Sequence, residues 1–217
     1  VNVSAVLTGD LVSSSAAEPA AVERAMRTLE DGAARIGSWT QDDTRFTRSR
    51  GDGWQIVLAV PELAPRAALY QIARLRAAQT GLETRIALGI GAAESMGTHD
   101  LSDAGGPAFE VSGRTLDAMK RLSRLAVAGR GVGPLEQALV QLLAERAQRW
   151  TPEQAEAMAL FLHPDNPTLE EIAGELHITP QAVSYRLSGA GGREIRSALK
   201  GWEAAAQAAG IEEPLVR

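Results

Sequence analysis

The sequence predicts an α+β fold in two parts, a sheet-containing N-terminal domain and an all-α C-terminal domain. Short apolar runs such as Val3–Leu7, Trp54–Val60 and Thr84–Ile90 alternate with segments whose apolar residues recur every three or four positions. In the C-terminal third the glycine-punctuated strands vanish and only helical spacing remains. The 217 residues suffice for one or two domains, and 45% hydrophobic with 23% charged residues is ordinary globular composition. The expected division is a first domain over 1–130, a connecting helix over 131–150 and a second domain over 151–217.

In chain order, Val3–Leu7 ends at Thr8-Gly9-Asp10 and reads as a buried strand, with Ser13-Ser14-Ser15 as a loop. Pro19 suits a first helical turn, and Val22, Met26, Leu29, Ala33 and Ile36 form one helical face. Arg45–Arg50, the turn Gly51-Asp52-Gly53 and Trp54–Val60 make a hairpin. Pro65 opens a helix with Leu69, Ile72 and Leu75, and Thr84–Ile90 puts Ile86, Leu88 and Ile90 on one strand face. Strand, helix, strand, strand, helix, strand is the order of a ferredoxin-like split β-α-β unit. Ala92–Pro107 reads as loop and Phe109–Ser112 as a short piece before Gly113. A helix is expected from about Thr115, with Leu116, Met119, Leu122 and Leu125 on one face, broken at Gly129–Pro134. Leu135, Leu139, Leu142 and Leu143 mark the connecting helix.

Beyond it, Thr151-Pro152-Glu153 is a helix start with a Thr cap, Pro at the first position and acid in the first turn. Thr168 with Glu171 three residues later is a capping box. Leu169, Ile172, Ala173 and Leu176 face inward, His177-Ile178 turns, and Thr179-Pro180 opens a helix that buries Val183 and Leu187. The pair reads as a helix-turn-helix, ended by Gly189, Gly191 and Gly192 before a last helix over 194–209. Such a pair puts its second helix in the DNA major groove. The expected DNA-binding set is therefore Thr179, Gln181, Ser184, Tyr185, Arg186 and Ser188. Gln181 suits bidentate bonding to adenine, Ser184 suits bases or phosphate, and Tyr185 and Arg186 suit phosphates. The bland alternative is a helical bundle used for packing or dimerisation. With five Lys/Arg against seven Asp/Glu from Thr168 onward, a monomer would bind DNA poorly, so a homodimer is expected on double-stranded DNA.

The chain carries 22 Lys+Arg against 27 Asp+Glu, net −5, which argues against a whole-chain polyanion binder and leaves a local nucleic-acid site open. It has no cysteine, which excludes disulfides, thiolate zinc sites and cysteine nucleophiles. His99, His163 and His177 are too far apart in sequence to suggest a His-rich metal site. No apolar run approaches the ~20 residues of a membrane span, and Val1–Asp10 lacks the pattern of a signal peptide. A cytoplasmic protein without a membrane partner is the expectation.

Asp10 and Asp52 both fall at expected strand ends, where the split β-α-β order allows them to face each other. Two close carboxylates repel unless a cation separates them. Mg²⁺ is one expected occupant of the gap; neutralisation by Arg48 or Arg50 is the other. By spacing alone, Asp52 is a turn former and Asp10 a loop cap. Arg48 and Arg50 read as a solvated face, Trp54 as core, and Trp39, Trp150 and Trp202 as core or interface anchors.

The segment from Leu169 to Leu187 resembles the DNA-binding helices of sigma-factor region four, through Glu171-Ile172-Ala173, Ile178 and the run Thr179–Ser184. Over about Val3–Leu125 the chain resembles class III nucleotidyl cyclases, and more closely the SatD-like group of bacterial proteins. The motifs are Asp10, Arg48–Gly53, Arg85–Gly91, Phe109–Gly113 and Arg121, in that order. The resemblance implies a cyclase-homology domain in which Asp10 and Asp52 are the metal-binding aspartates, with Mg²⁺ and a purine nucleotide as ligands. It puts Arg48 and Glu110 at the base-selecting positions and Arg121 at that of the transition-state arginine. Asp117 stands where active cyclases carry Asn, and Arg114 is a second departure. These imply a degenerate domain kept for nucleotide sensing or dimerisation in a DNA-binding transcriptional regulator. An active purine nucleotide cyclase and a protein–protein interaction module are the alternatives.

Overall fold

A computed structural model describes residues 3–41, 44–49, 51–98 and 100–211; Arg50 and His99 lie outside them. The fold is α+β, with a five-stranded mixed sheet and eight α-helices among the described residues. Strand β1 (Val3–Val12) runs into α1 (Pro19–Thr40), then the hairpin β2 (Phe46–Arg48) and β3 (Gly53–Leu58). Next come α2 (Ala64–Ala77), β4 (Glu83–Ala92), α3 (Pro107–Ala118) and β5 (Leu125–Gly129). The rest is helical: α4 (Pro134–Gln148), α5 (Pro152–Phe161), α6 (Leu169–Leu176), α7 (Pro180–Ala190) and α8 (Gly192–Ile211). The strand order is β2-β3-β1-β4-β5. β1 is antiparallel to both β3 and β4, and β5 is parallel to β4 at the edge.

Strand alternation sorts side chains to two faces. Ala5, Leu7, Leu11, Ile86, Leu88 and Ile90 join α1, α2 and the C-terminal helices in one large buried cluster. Val6 and Val57 point the other way, onto Ala108 and Phe109 of α3. That second layer needs close approach. A Cβ on Gly89 would stand 2.3 Å from the Ala108 carbonyl oxygen, so the strand must lack a side chain where α3 crosses it. Gly9 is equally constrained, 2.4 Å from the buried Trp54 ring.

Two stretches depart from the sequence expectation. The helix near residue 115 begins eight residues earlier, at Pro107, and ends at Ala118. Phe109–Ser112 lies inside it, Met119 turns extended, and Leu125 opens β5 instead of closing a helical face. Leu116, Met119, Leu122 and Leu125 imitate helical spacing, but Leu122 is 83% exposed in the connecting turn. In α4 the buried face is Val140, Leu143, Ala144 and Ala147, while Leu135 and Leu142 stand 81% and 69% exposed. β1 also continues past its expected end, so Asp10 lies within the strand.

The helical third docks firmly on the sheet layer, and its buried apolar residues belong to the same cluster as the sheet's. Arg66 of α2 is 2% exposed and binds Glu203 of α8 through Nε (2.6 Å) and Nη2 (2.9 Å). Its Nη1 donates to the Leu162 carbonyl (3.1 Å). Arg146 of α4 and Trp150, just beyond that helix, reach the C-terminal end of α7: the indole N–H and Arg146 Nε donate to the Ala190 carbonyl (3.0 Å each), and Arg146 Nη2 donates to the Gly189 carbonyl (2.9 Å). The helix starts are capped as their residues dictate. Thr151, Thr168 and Thr179 accept from the N–H groups of Gln154, Glu171 and Ala182. Hydrogen bonds from Thr168 lower the Glu171 carboxyl below its ordinary value. Gly191, with φ of 76°, ends α7 in the left-handed conformation. No helix among the described residues is long and apolar enough to cross a membrane.

Candidate functional site

The carboxylates singled out in the sequence converge at one end of the sheet. Asp10 lies opposite Gly53 on one side and opposite Arg85 on the other. Arg85 grips Asp10 with two parallel bonds, Nε to Oδ1 at 2.9 Å and Nη2 to Oδ2. Both side chains are about three-quarters buried. Asp52, in the β2–β3 turn, accepts from the Ser14 hydroxyl, and its carbonyl accepts from the Leu11 N–H (3.3 Å). Asp117, exposed in the last turn of α3, acts on Arg85 only through its charge. The Asp10 hydrogen bonds hold the Arg85 guanidinium above its ordinary pKa; burial opposes this, and the charges of Asp10, Asp52 and Asp117 add to it.

The cation held by Asp10 is thus Arg85, where the sequence suggested either Mg²⁺ or neutralisation by Arg48 or Arg50. Arg48 turns outward to pair with Glu23 at 2.7 Å. The signal for Arg85 was cross-strand register: a residue early in β4 meets one late in antiparallel β1. The arrangement does not fit a divalent cation. Both Asp10 oxygens are committed to Arg85, and among the described residues no three His, Asp or Glu side chains are grouped to hold a metal. Glu110 is exposed and pairs with Arg114 at 3.3 Å. Arg121 is exposed in the α3–β5 turn, its carbonyl accepting from Arg124 Nη1 (3.2 Å). Among the described residues, no hydrogen bond or ion pair ties Arg48, Glu110 or Arg121 to the Asp10 group.

The second candidate surface is α7. Three residues, 177–179, separate it from α6, with His177 left-handed and Thr179 capping. Val183 and Leu187 are buried beneath it. Gln181, Ser184, Tyr185 and Ser188 are exposed at spacings of three, one and three, which is a single helical face. Tyr185 is 83% exposed and leads that face. Arg186 lies off it, directed at α5, where it pairs with Glu156 at 2.8 Å and its side chain is 23% exposed. The expectation that Arg186 stands on the outer face with Gln181 and Ser184 is therefore corrected: position 186 is one step around the helix, toward α5.

No model of a known protein family matches the chain, and neither does any of the curated proteins compared with it.

Proposed function

We propose that the chain is a DNA-binding transcriptional regulator, with α6 and α7 as a helix-turn-helix and α7 as the reading helix. One observation carries the reading: Gln181, Ser184, Tyr185 and Ser188 form an unobstructed polar stripe along a short helix that is capped by Thr179 and held at its far end by Arg146 and Trp150. A rigid helix presenting amide and hydroxyl groups is what base-edge readout requires. The strand order β2-β3-β1-β4 supports the ferredoxin-like label for the N-terminal part, with β5 added at the edge. The Arg85–Asp10 pair supports a degenerate cyclase-like domain, because a metal would have to displace a bidentate guanidinium.

The electrostatics shape the expected binding. Residues 152–211 contain four Lys/Arg against eight Asp/Glu, and Arg186 is neutralised by Glu156. Few phosphates are contacted, so affinity depends weakly on salt and rests on base contacts from two copies. Selection from a randomised duplex library by the full chain should return a symmetric site. Gln181→Ala should then relax preference at one base pair per half-site by about 1–3 kcal/mol. Arg186→Ala should lower thermal stability through the α5–α7 contact while leaving the salt slope unchanged. A library that yields no enriched sequence would remove the DNA reading.

Dimerisation is part of the proposal. Leu135 and Leu142, seven residues apart on α4, give an exposed apolar stripe on the helix that also anchors α7. Pairing of two α4 helices would fix the spacing of two reading helices. Sedimentation of the full chain should give a dimer that Leu142→Glu converts to a monomer; a monomeric parent at micromolar concentration, with and without DNA, would refute the symmetric mode.

A further inference from the structure

One edge of the sheet is β5, the other β2. Ile86 donates its N–H to the Arg124 carbonyl, and the Arg130 N–H donates to the Ile90 carbonyl, both at 2.9 Å. With the parallel register running from Ile86↔Leu125 to Ile90↔Gly129, the peptide groups of Arg124, Ala126, Ala128 and Arg130 face β4. The N–H and C=O of Leu125 and Val127 therefore point away from the sheet. Gly129 does so too, but its carbonyl already accepts from the Val132 N–H at 3.2 Å. This edge lies at the floor of a groove of about 800 Å³ that runs the length of β5 between α3 and α4. Thr115 and Ala118 line one wall, and Gln141 and Ala144 the other. Ala126 and Ala128 on the floor leave room for a backbone to approach.

We propose that this groove binds an extended, acidic segment of a partner protein as a sixth strand beside β5. Two unpaired donors and two unpaired acceptors at strand spacing are the template for β-strand addition. The recess decides the occupant. A second copy presents its own β5 equally deep between two helices, so two such edges would bring four helices into collision before the strands met. A single extended chain, set about 4.8 Å from β5, enters without that clash. Charge decides its composition. The ionisable residues lining the groove are Arg114, Lys120, Arg124 and Glu145, net positive on a chain of net −5. Arg114 pairs with Glu110, Arg124 is held by Glu83 and Glu145 pairs with Arg149, whereas exposed Lys120 has no ion-pair partner among the described residues and supplies the free positive charge of the groove. Exposed Leu122 at the α3–β5 turn offers an apolar contact at the end of the groove. The inference does not depend on DNA binding, since α7 is no part of the groove.

The test uses the full chain and a fluorescein-labelled octapeptide of alternating valine and glutamate, with a valine–lysine octapeptide as the control. The acidic peptide should bind saturably, about tenfold or more tighter than the basic one, a difference of about 1.4 kcal/mol. Amide hydrogen exchange at Val127 should slow when it binds. Ala118→Trp fills the groove from an exposed wall position and should weaken binding at least about tenfold. Lys120→Glu, in an exposed turn and neutral for folding, should reverse the charge preference. Absence of saturable binding would overturn the proposal, as would binding that leaves Val127 exchange unchanged and survives Ala118→Trp. Conversion of a dimeric parent to a monomer by Ala118→Trp would overturn it as well, by assigning the groove to a second copy.

Discussion

Glu203→Ala is expected to destabilise the chain by about 3–5 kcal/mol, which for a chain of this size is a drop of roughly 6–20 °C in Tm. The cost comes from what is left behind. Arg66 is 2% exposed, and with its carboxylate removed only the Leu162 carbonyl answers its five N–H groups. A second cation is close. Burial lowers the Arg196 pKa, and the charge of Arg66 lowers it further. Arg196 is stabilised by the Phe161 ring, 3.2 Å from its centroid, and by the Phe161 carbonyl at 2.8 Å. Without Glu203, the buried Arg66 guanidinium loses its carboxylate and the half-buried Arg196 still repels it. Because the pair is shielded from solvent, the loss should change little with ionic strength. The double variant Arg66→Met with Glu203→Leu should recover most of the stability, since buried ion pairs contribute little over well-packed apolar substitutes. Thermal denaturation of the three variants decides the matter. A Tm for Glu203→Ala within about 2 °C of the parent would mean that the joint between α2 and α8 does not rest on this pair.

That joint was invisible in the sequence for a physical reason. Arg66 and Glu203 are 137 positions apart, and each alone reads as a solvated charge on an amphipathic helix. The features that could be read were local ones. The Thr caps at 151, 168 and 179 are set within four residues, and each helix starts where its Thr-Pro or Thr-x-x-Glu pattern puts it. The faces of α1, β3 and β4 follow from periods of 3.6 and 2. Reading failed between Pro107 and Gly129, where leucines at three-residue spacing belong in turn to a helix, an exposed turn and a strand. Only the sheet settles that choice, because Leu125 and Val127 are buried by α4 on a strand that needs β4 to exist. The candidate site divides the same way. Asp10 and Asp52 were legible as a converging pair from element order. Their partner Arg85 was not, because register, which selects it from the arginines available, is a tertiary property.

Arg85→Ala should cost about 2 kcal/mol, less than the Glu203 change because both members of this pair are about a quarter exposed. Its sharper consequence is electrostatic. In the parent, the guanidinium answers Asp10 directly and lies within the fields of Asp52 and Asp117. Removing it leaves Asp10 and Asp52 at one end of the sheet without that cation, and their mutual repulsion then favours a divalent ion that can enter. Millimolar MgCl₂ should therefore raise the Tm of Arg85→Ala and leave that of the parent unchanged. Arg85→Lys should fall between them, since an ammonium supplies the charge without the bidentate fork. The parent's insensitivity is the informative half. If Arg85 occupies the place of a metal, calorimetric titration of ATP or GTP into the parent should give the same heats with and without Mg²⁺. Asp10→Ala should then lower stability without changing those heats. A parent that binds Mg²⁺-nucleotide tightly, and loses that binding in Asp10→Ala, would show that a metal can displace Arg85, and would return Asp10 and Asp52 to the ligand role that the cyclase resemblance implies.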